Sequence, residues 1–222
     1  MIHDTLRLYS YWRSSAAYRV RIALNLKRLH YEIVPVHLLE NGGQQRLPEY
    51  RAIHPQGLVP ALLHGHRMLR QSMAIIEYLD ETWPDPPLLP ATARDRARAR
   101  ALAQAIACDI HPLNNLRVLQ YFETVWSVPS PERDEWVRHW LREGLAAVEE
   151  MLAEHHSTGT FCDGEMPGLA DCCLIPQVFN ARRFSIDLGP YRTIRRIYDS
   201  CMALPAFDAA RPELQPDAPA AS

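Results

Sequence analysis

Three short segments carry side chains suited to an anionic ligand: Ser14-Ser15 with Ala16-Ala17-Tyr18-Arg19-Val20-Arg21, then Leu58-Val59-Pro60, then Gln71-Ser72. Together they read as one site for a small anionic thiol peptide, divided over the first third of the chain. Ser14-Ser15 stands where the alternating stretch Leu6-Arg7-Leu8-Tyr9-Ser10-Tyr11, a strand pattern, gives way to helical spacing at Ala17, Val20, Ile22-Ala23-Leu24 and Leu26. The start of a helix presents unpaired N–H groups and a partial positive charge, and a serine there adds a donor, so a thiolate suits the place. Taken alone, the same serine reads better as an ordinary N-cap.

Pro60 opens the short apolar strand Ala61-Leu62-Leu63, with His64-Gly65-His66-Arg67 as the hairpin turn and Met68-Leu69-Arg70 as its return. A proline cannot donate to a ladder, which leaves the backbone of Val59 to a ligand bound as an added strand. We expect a cis bond at Val59-Pro60, although only about 5–6% of X-Pro bonds are cis. Gln71-Ser72 opens a further helix with Ala74-Ile75-Ile76 and Tyr78-Leu79 as its apolar face; Ser72 either caps it or holds a carboxylate through its hydroxyl and N–H.

The elements that must position these segments run strand, helix, strand, loop, strand, hairpin strand, helix over residues 5–83, a compact α/β unit. The proline-rich run 84–90 is a stiff linker, which divides the chain into domains 1–87 and 91–222. Beyond it, helical spacing covers 92–122, 131–153, 169–184 and 193–202, with a kink expected at Pro112. Residues 211–222 lack periodicity and read as a mobile tail. At Gly168-Leu169-Ala170-Asp171, glycine occupies a helix cap and Asp171 supplies the other half of a capping box, a structural role.

The 222 residues are 47% hydrophobic with a net charge of −2, enough for an ample core and without the basic field that nucleic acid or an anionic membrane would require. There is no charged-then-apolar leader and no apolar run near the ~18 residues of a membrane span, which points to the cytoplasm. Five cysteines, none in a CxxC pair, read as reduced and structural. His64, His66, His155 and His156 lack partners at metal-ligand spacing, and no metal is expected. Trp136 and Trp140, one turn apart, read as core or interface.

Several runs together resemble the zeta class of the glutathione transferase superfamily: Tyr11-Trp12-Arg13-Ser14-Ser15 with Arg19-Val20-Arg21-Ile22-Ala23-Leu24, Gly42-Gly43-Gln44-Gln45, Gln71 to Leu79, Asp109 to Leu116, and Leu174-Ile175-Pro176-Gln177-Val178. The resemblance extends from about Leu6 to Phe207. It implies a thioredoxin-like α/β N-terminal domain, an all-α C-terminal domain, glutathione as cofactor and a homodimer. It also implies cis–trans isomerisation of a maleyl diacid, foremost maleylacetoacetate to fumarylacetoacetate. Maleylpyruvate isomerisation, general conjugation of electrophiles and a non-enzymatic glutathione-binding module are the alternatives.

By that resemblance Ser14, with Ser15 next, donates to the sulfur, and Gln45, Val59, Pro60, Gln71 and Ser72 hold the peptide. His111, Asn115 and Arg117 complete the site from the second domain. Substrate carboxylates need arginine, and Arg13, Arg19, Arg117 and Arg183 are the candidates. Arg13 and Arg19 flank the sulfur position, where a cation lowers a thiol pKa and stabilises an enolate. Arg183 reads equally as a helix-end partner of Arg182, and Arg21 reads as structural. His111, without the resemblance, reads as a packed polar residue. The class carries cysteine and tryptophan where Ala16 and Tyr18 stand here. A thiol-disulfide oxidoreductase is excluded because residues 14–17 contain no cysteine.

Overall fold

A computed structural model describes residues 5–219 and divides into two compact units, one running to Leu88 and rejoined by the segment from Ala203, the other spanning Leu89–Met202. In the first unit, β1 (Leu6–Ser10), β2 (Tyr31–Pro35), β3 (Ala61–His64) and β4 (Arg67–Arg70) form a mixed sheet in the order β2-β1-β3-β4. β1 runs parallel to β2 and antiparallel to β3, and β3 pairs with β4 across Gly65-His66, where Gly65 takes φ +58. This is a thioredoxin-like sheet. The parallel pair forces a crossover, and α1 (Ser15–Leu26) supplies it.

α2 (Pro48–Ile53) and two short 3₁₀ turns, Glu40–Gly42 and Gln44–Arg46, occupy the stretch read as a loop. α3 (Ser72–Thr82) follows β4. Both Val59-Pro60 and Asp85-Pro86 are cis, the first as expected.

All of Ala17 to Leu24 on α1 is buried, including Arg19 at 2% and Arg21 at 0% exposure. Neither arginine is solvated, which for Arg21 agrees with its structural reading. The reason lies at the far end of the chain: α1 packs against α3 and also against a short helix, Pro205–Asp208, which lies beyond the helical unit in sequence and returns to cover it. Of residues 211–222, expected to be a mobile tail, 220–222 lie outside the described residues; within 211–219, Pro212–Leu214 forms a 3₁₀ turn, and Gln215 is buried with Nε2 donating to the carbonyls of Arg211 at 2.7 Å and Ala209 at 3.2 Å.

The second unit is helical. α4 (Ala93–Gln104) is capped by Thr92, whose Oγ1 accepts from Asp95 N at 3.2 Å. The single helix expected over 92–122 is broken into α4, a π-helical turn at Ala105–Ile110, a 3₁₀ turn at His111–Asn114 and α5 (Leu116–Thr124). Pro112 lacks the N–H that would continue the ladder, and its ring excludes the carbonyl one turn back, so the chain widens before it and tightens after it. On α6 (Ser130–Ala153), Gly144 faces the Ile110 side chain so closely that a Cβ would collide with it. Trp136 and Trp140 are half-buried rather than core residues; Trp136 Nε1 donates to Leu113 O at 2.8 Å and its ring meets Trp140 edge-on.

α7 (Leu169–Arg183) and α8 (Arg192–Met202) complete the unit. Gly168 has no side chain to cap α7, but the Asp171 half of the box persists, accepting from Gly168 N at 2.8 Å and from Cys162 N at 2.9 Å. Burial raises the Asp171 carboxyl above its ordinary value, against the pull of those two N–H donors. Among the described residues no helix is long and apolar enough to cross a membrane.

Candidate active site

The turn that carries Ser14 begins with Tyr11: Ser14 N donates to Tyr11 O at 2.9 Å, and Trp12 and Arg13 form the bend. Ser14 has extended backbone, and its Oγ accepts from Ala17 N at 3.2 Å, which makes it the N-cap of α1. The cap reading and the donor reading are compatible. An oxygen that accepts from the helix retains its own hydrogen, and that hydrogen can be given to an anion at the helix start. Ser15, half-buried, is the first residue of the helix.

One apolar cluster ties this turn to the cis-proline segment. Tyr11, Val36, Tyr50 and Val59 are buried together, with Tyr9, Trp12, Leu38 and Ile53 packed against them. Tyr50 also donates from its hydroxyl to Leu58 O at 2.7 Å, holding the residue before Val59 in place. Burial moves the Tyr50 phenol well up from its ordinary value, so it stays a neutral donor.

Gln45 lies in the second 3₁₀ turn, buried at 6% exposure; Nε2 donates to Leu38 O at 3.1 Å, while Oε1 has no hydrogen-bond partner among the described residues. Gly43 permits this. At φ +95 a side chain would be strained, and a Cβ would fall 2.5 Å from Gln45 Oε1 and 2.7 Å from Leu38 O.

Gln71, at φ +69, is the N-cap residue of α3 and donates from Nε2 to Gln56 Oε1 at 2.8 Å. Ser72 is buried at 6% exposure and its Oγ accepts from Arg19 Nη1 at 3.3 Å. Arg19, expected beside the sulfur as a substrate ligand, therefore lies within the fold against Ser72. A hydroxyl that accepts from a guanidinium keeps its hydrogen for a carboxylate placed at the first turn of α3. Arg13 is half-buried, with its guanidinium 5.3 Å from the Trp12 ring centroid.

Arg21 does what the structural reading required. Nε donates to Ala210 O at 3.0 Å, Nη1 to Ser10 Oγ at 3.2 Å and Nη2 to Trp12 O at 3.0 Å. Burial lowers its pKa to about 10, partly offset by Tyr31, Tyr18 and Asp217, which leaves it a cation at neutral pH.

In the helical unit, His111 opens the 3₁₀ turn. Asn115 is the N-cap of α5: its Oδ1 accepts from Arg117 N at 3.1 Å, which commits the acyl oxygen and leaves the amide hydrogens. Arg117 is exposed, and so is Arg183, whose guanidinium lies 4.6 Å from the Phe184 ring centroid. Sequence reasoning passed over Asn114, whose amide Oδ1 and Nδ2 are both buried without hydrogen-bond partners among the described residues. The Asn114-Asn115 pair was the available signal, but adjacency alone does not separate a cap from a buried amide.

The five cysteines, at 108, 162, 172, 173 and 201, all lie in the helical unit. The first unit, with the Ser14 turn, contains no thiol of its own.

Residues 8–87 match the family model for the glutathione S-transferase N-terminal domain. The chain is 50% identical over 96% of its length, and 99% of the relative's, to the probable maleylacetoacetate isomerase of Vibrio cholerae. It is similar to a solved bacterial maleylpyruvate isomerase, described as a zeta-class glutathione S-transferase, with 45% identity and a TM-score of 0.93 over 96% of this chain and 100% of that one. A maleylacetoacetate isomerase from Methylobacterium extorquens, solved with bound malonate and glutathione, matches at 44% identity and a TM-score of 0.93 over 96% and 100%. With a cysteine-free thioredoxin-like unit, a capping serine at its first helix and full-length similarity of this order, the chain belongs to the zeta class of the glutathione transferases.

Proposed function

We propose that the chain is a glutathione-dependent cis–trans isomerase of a maleyl diacid, with maleylacetoacetate as substrate and fumarylacetoacetate as product. The observation that carries this reading is the Ser14 hydroxyl, bonded to α1 through its oxygen and still in possession of its hydrogen, in a unit without a cysteine. Glutathione, when bound, supplies a thiolate able to add to the cis double bond and to leave after rotation about the resulting single bond. The residues present fit that tripeptide: Gln45 keeps a buried acyl oxygen unpaired, Ser72 with Arg19 behind it suits a carboxylate, and Ser14 suits a sulfur anion.

In this mechanism Ser14 donates to the sulfur and holds it ionised, with Ser15 as the alternative donor and the start of α1 adding its dipole. Gln45, Val59, Pro60, Gln71 and Ser72 hold the peptide. Arg13 adds positive charge beside the serine turn, and Arg19 contributes through Ser72. His111, Asn115, Arg117 and Arg183 are the helical unit's candidates for glutathione and substrate, the two arginines as carboxylate ligands.

Maleylpyruvate is a second reading, supported by the 0.93 TM-score to an isomerase of that diacid. The family supports a homodimer, and five free cysteines, four of them buried, support a reducing compartment such as the cytoplasm.

The deciding experiment compares glutathione-dependent rates on maleylacetoacetate, maleylpyruvate and a chlorodinitrobenzene-type electrophile. Isomerisation of one diacid should dominate. Conjugation outpacing both isomerisations would overturn the proposal.

A further inference from the structure

The serine turn is gripped from the far end of the chain. Trp12, second residue of the Tyr11–Ser14 turn, donates its N–H to Asp217 Oδ2 at 2.8 Å. Its carbonyl accepts from Arg21 Nη2, and the same guanidinium reaches Ala210 O, in the same terminal segment as Asp217. Both backbone groups of Trp12 are therefore fixed, one directly by the terminal segment and one through an arginine that this segment also holds. With the Ser14 N–H to Tyr11 O bond closing the turn, little freedom remains in the two torsions that aim Ser14.

We propose that Asp217 is a positioning residue for the isomerisation: it sets the orientation of the Ser14 turn and through it the ionisation of the bound thiol. The charge arrangement fits this role. A lone carboxylate near a sulfur anion would oppose its ionisation, but Asp217 acts on Arg21 with a favourable attraction, so the segment grips Trp12 with its charge offset. Asp217 Oδ1 is buried with no hydrogen-bond partner among the described residues. The side chain therefore relies on the Trp12 bond and the Arg21 attraction, and its energy is concentrated on this turn. The inference rests on the thiolate reading of Ser14 given above.

The test uses Asp217→Ala and Asp217→Asn in the full chain. Asparagine keeps an acceptor oxygen for Trp12 N–H without the charge; alanine keeps neither. The readouts are the isomerisation kcat, the glutathione dissociation constant, the pKa of bound glutathione from thiolate absorbance, and amide hydrogen exchange at residues 12–14. For Asp217→Ala we expect kcat to fall about 10- to 100-fold, as for a catalytic group displaced by a fraction of an ångström to an ångström. Its bound-thiol pKa should rise, exchange at Trp12 should speed up, and glutathione affinity should stay within about threefold because most of the peptide's contacts lie elsewhere. Asp217→Asn should recover most of kcat and thiol pKa.

An Asp217→Ala protein with unchanged thiol pKa and unchanged Trp12 exchange would overturn the proposal, as would Asn and Ala variants that lose affinity and kcat in the same proportion. Should the unaltered protein bind glutathione yet isomerise neither diacid, the functional reading fails alone. The thiol pKa and amide exchange of the variants then still decide the role of Asp217.

Discussion

Lys27 Nζ lies 2.6 Å from Asp80 Oδ1, with side chains 0% and 9% exposed. The same ammonium donates to Trp83 O at 2.7 Å and Pro86 O at 2.6 Å, while Asp80 Oδ1 also accepts from Leu88 N at 2.7 Å. One buried ion pair thus pins α1 and α3 to the start of the proline-rich linker. Lys27→Met strands a buried carboxylate and two carbonyls, and should cost about 3–5 kcal/mol. The double variant with Asp80→Asn should lose less than Lys27→Met alone. Urea unfolding midpoints of the three proteins check both statements.

Ser14→Ala should lower kcat about 10²- to 10³-fold, the usual consequence of removing a donor to a developing or resident anion. Glutathione affinity should hardly change. Because Ser14 is also the cap of α1, the variant should lose about 1 kcal/mol of stability. Ser14→Asp separates the roles: it preserves the cap and places a negative charge against the sulfur, so stability should survive while turnover does not. Thermal melts beside steady-state kinetics give the comparison.

Ser72→Ala removes the hydroxyl that accepts from Arg19. If that hydroxyl passes its hydrogen to a carboxylate of the peptide, its loss should weaken glutathione binding about 10- to 100-fold, the range for hydrogen bonds to charged groups. kcat at saturating glutathione should be nearly unchanged. Calorimetric titration and a KM measurement would contradict the role if affinity held.

Asp171 predicts a sign for pH dependence. Its folded-state carboxyl is raised above the ordinary value, so as pH falls the folded chain takes up this proton before the unfolded chain does. The contribution of Asp171 to stability is therefore greatest in acid and declines as pH rises from about 4 through the folded value. The stability of the natural protein minus that of Asp171→Asn should fall over this window and level off above it, measured by denaturant titration at several pH values.

What sequence alone disclosed was mostly local. The Ser14 cap, the hairpin turn read at His64-Gly65-His66-Arg67, which the structure tightens to Gly65-His66, and the special bond at Val59-Pro60 each depend on a few neighbouring residues. Long-range packing was not legible. Nothing near Arg19 or Arg21 announces that Ser72 will meet the one and Ala210 the other, because these partners lie far along the chain and are joined to them only through the fold. Pro112 signalled a break in the first long helix, but proline chemistry alone does not choose between a simple kink and a π turn followed by a 3₁₀ turn. The six-residue α2 and the 3₁₀ turns at 40–46 are too short to leave a periodic signature.

The return of the segment from Ala203 makes the thioredoxin-like unit discontinuous along the polypeptide, with the helical unit inserted inside it. Trp12 and Asp217 can therefore meet only after the whole helical unit that separates them along the chain has been synthesised.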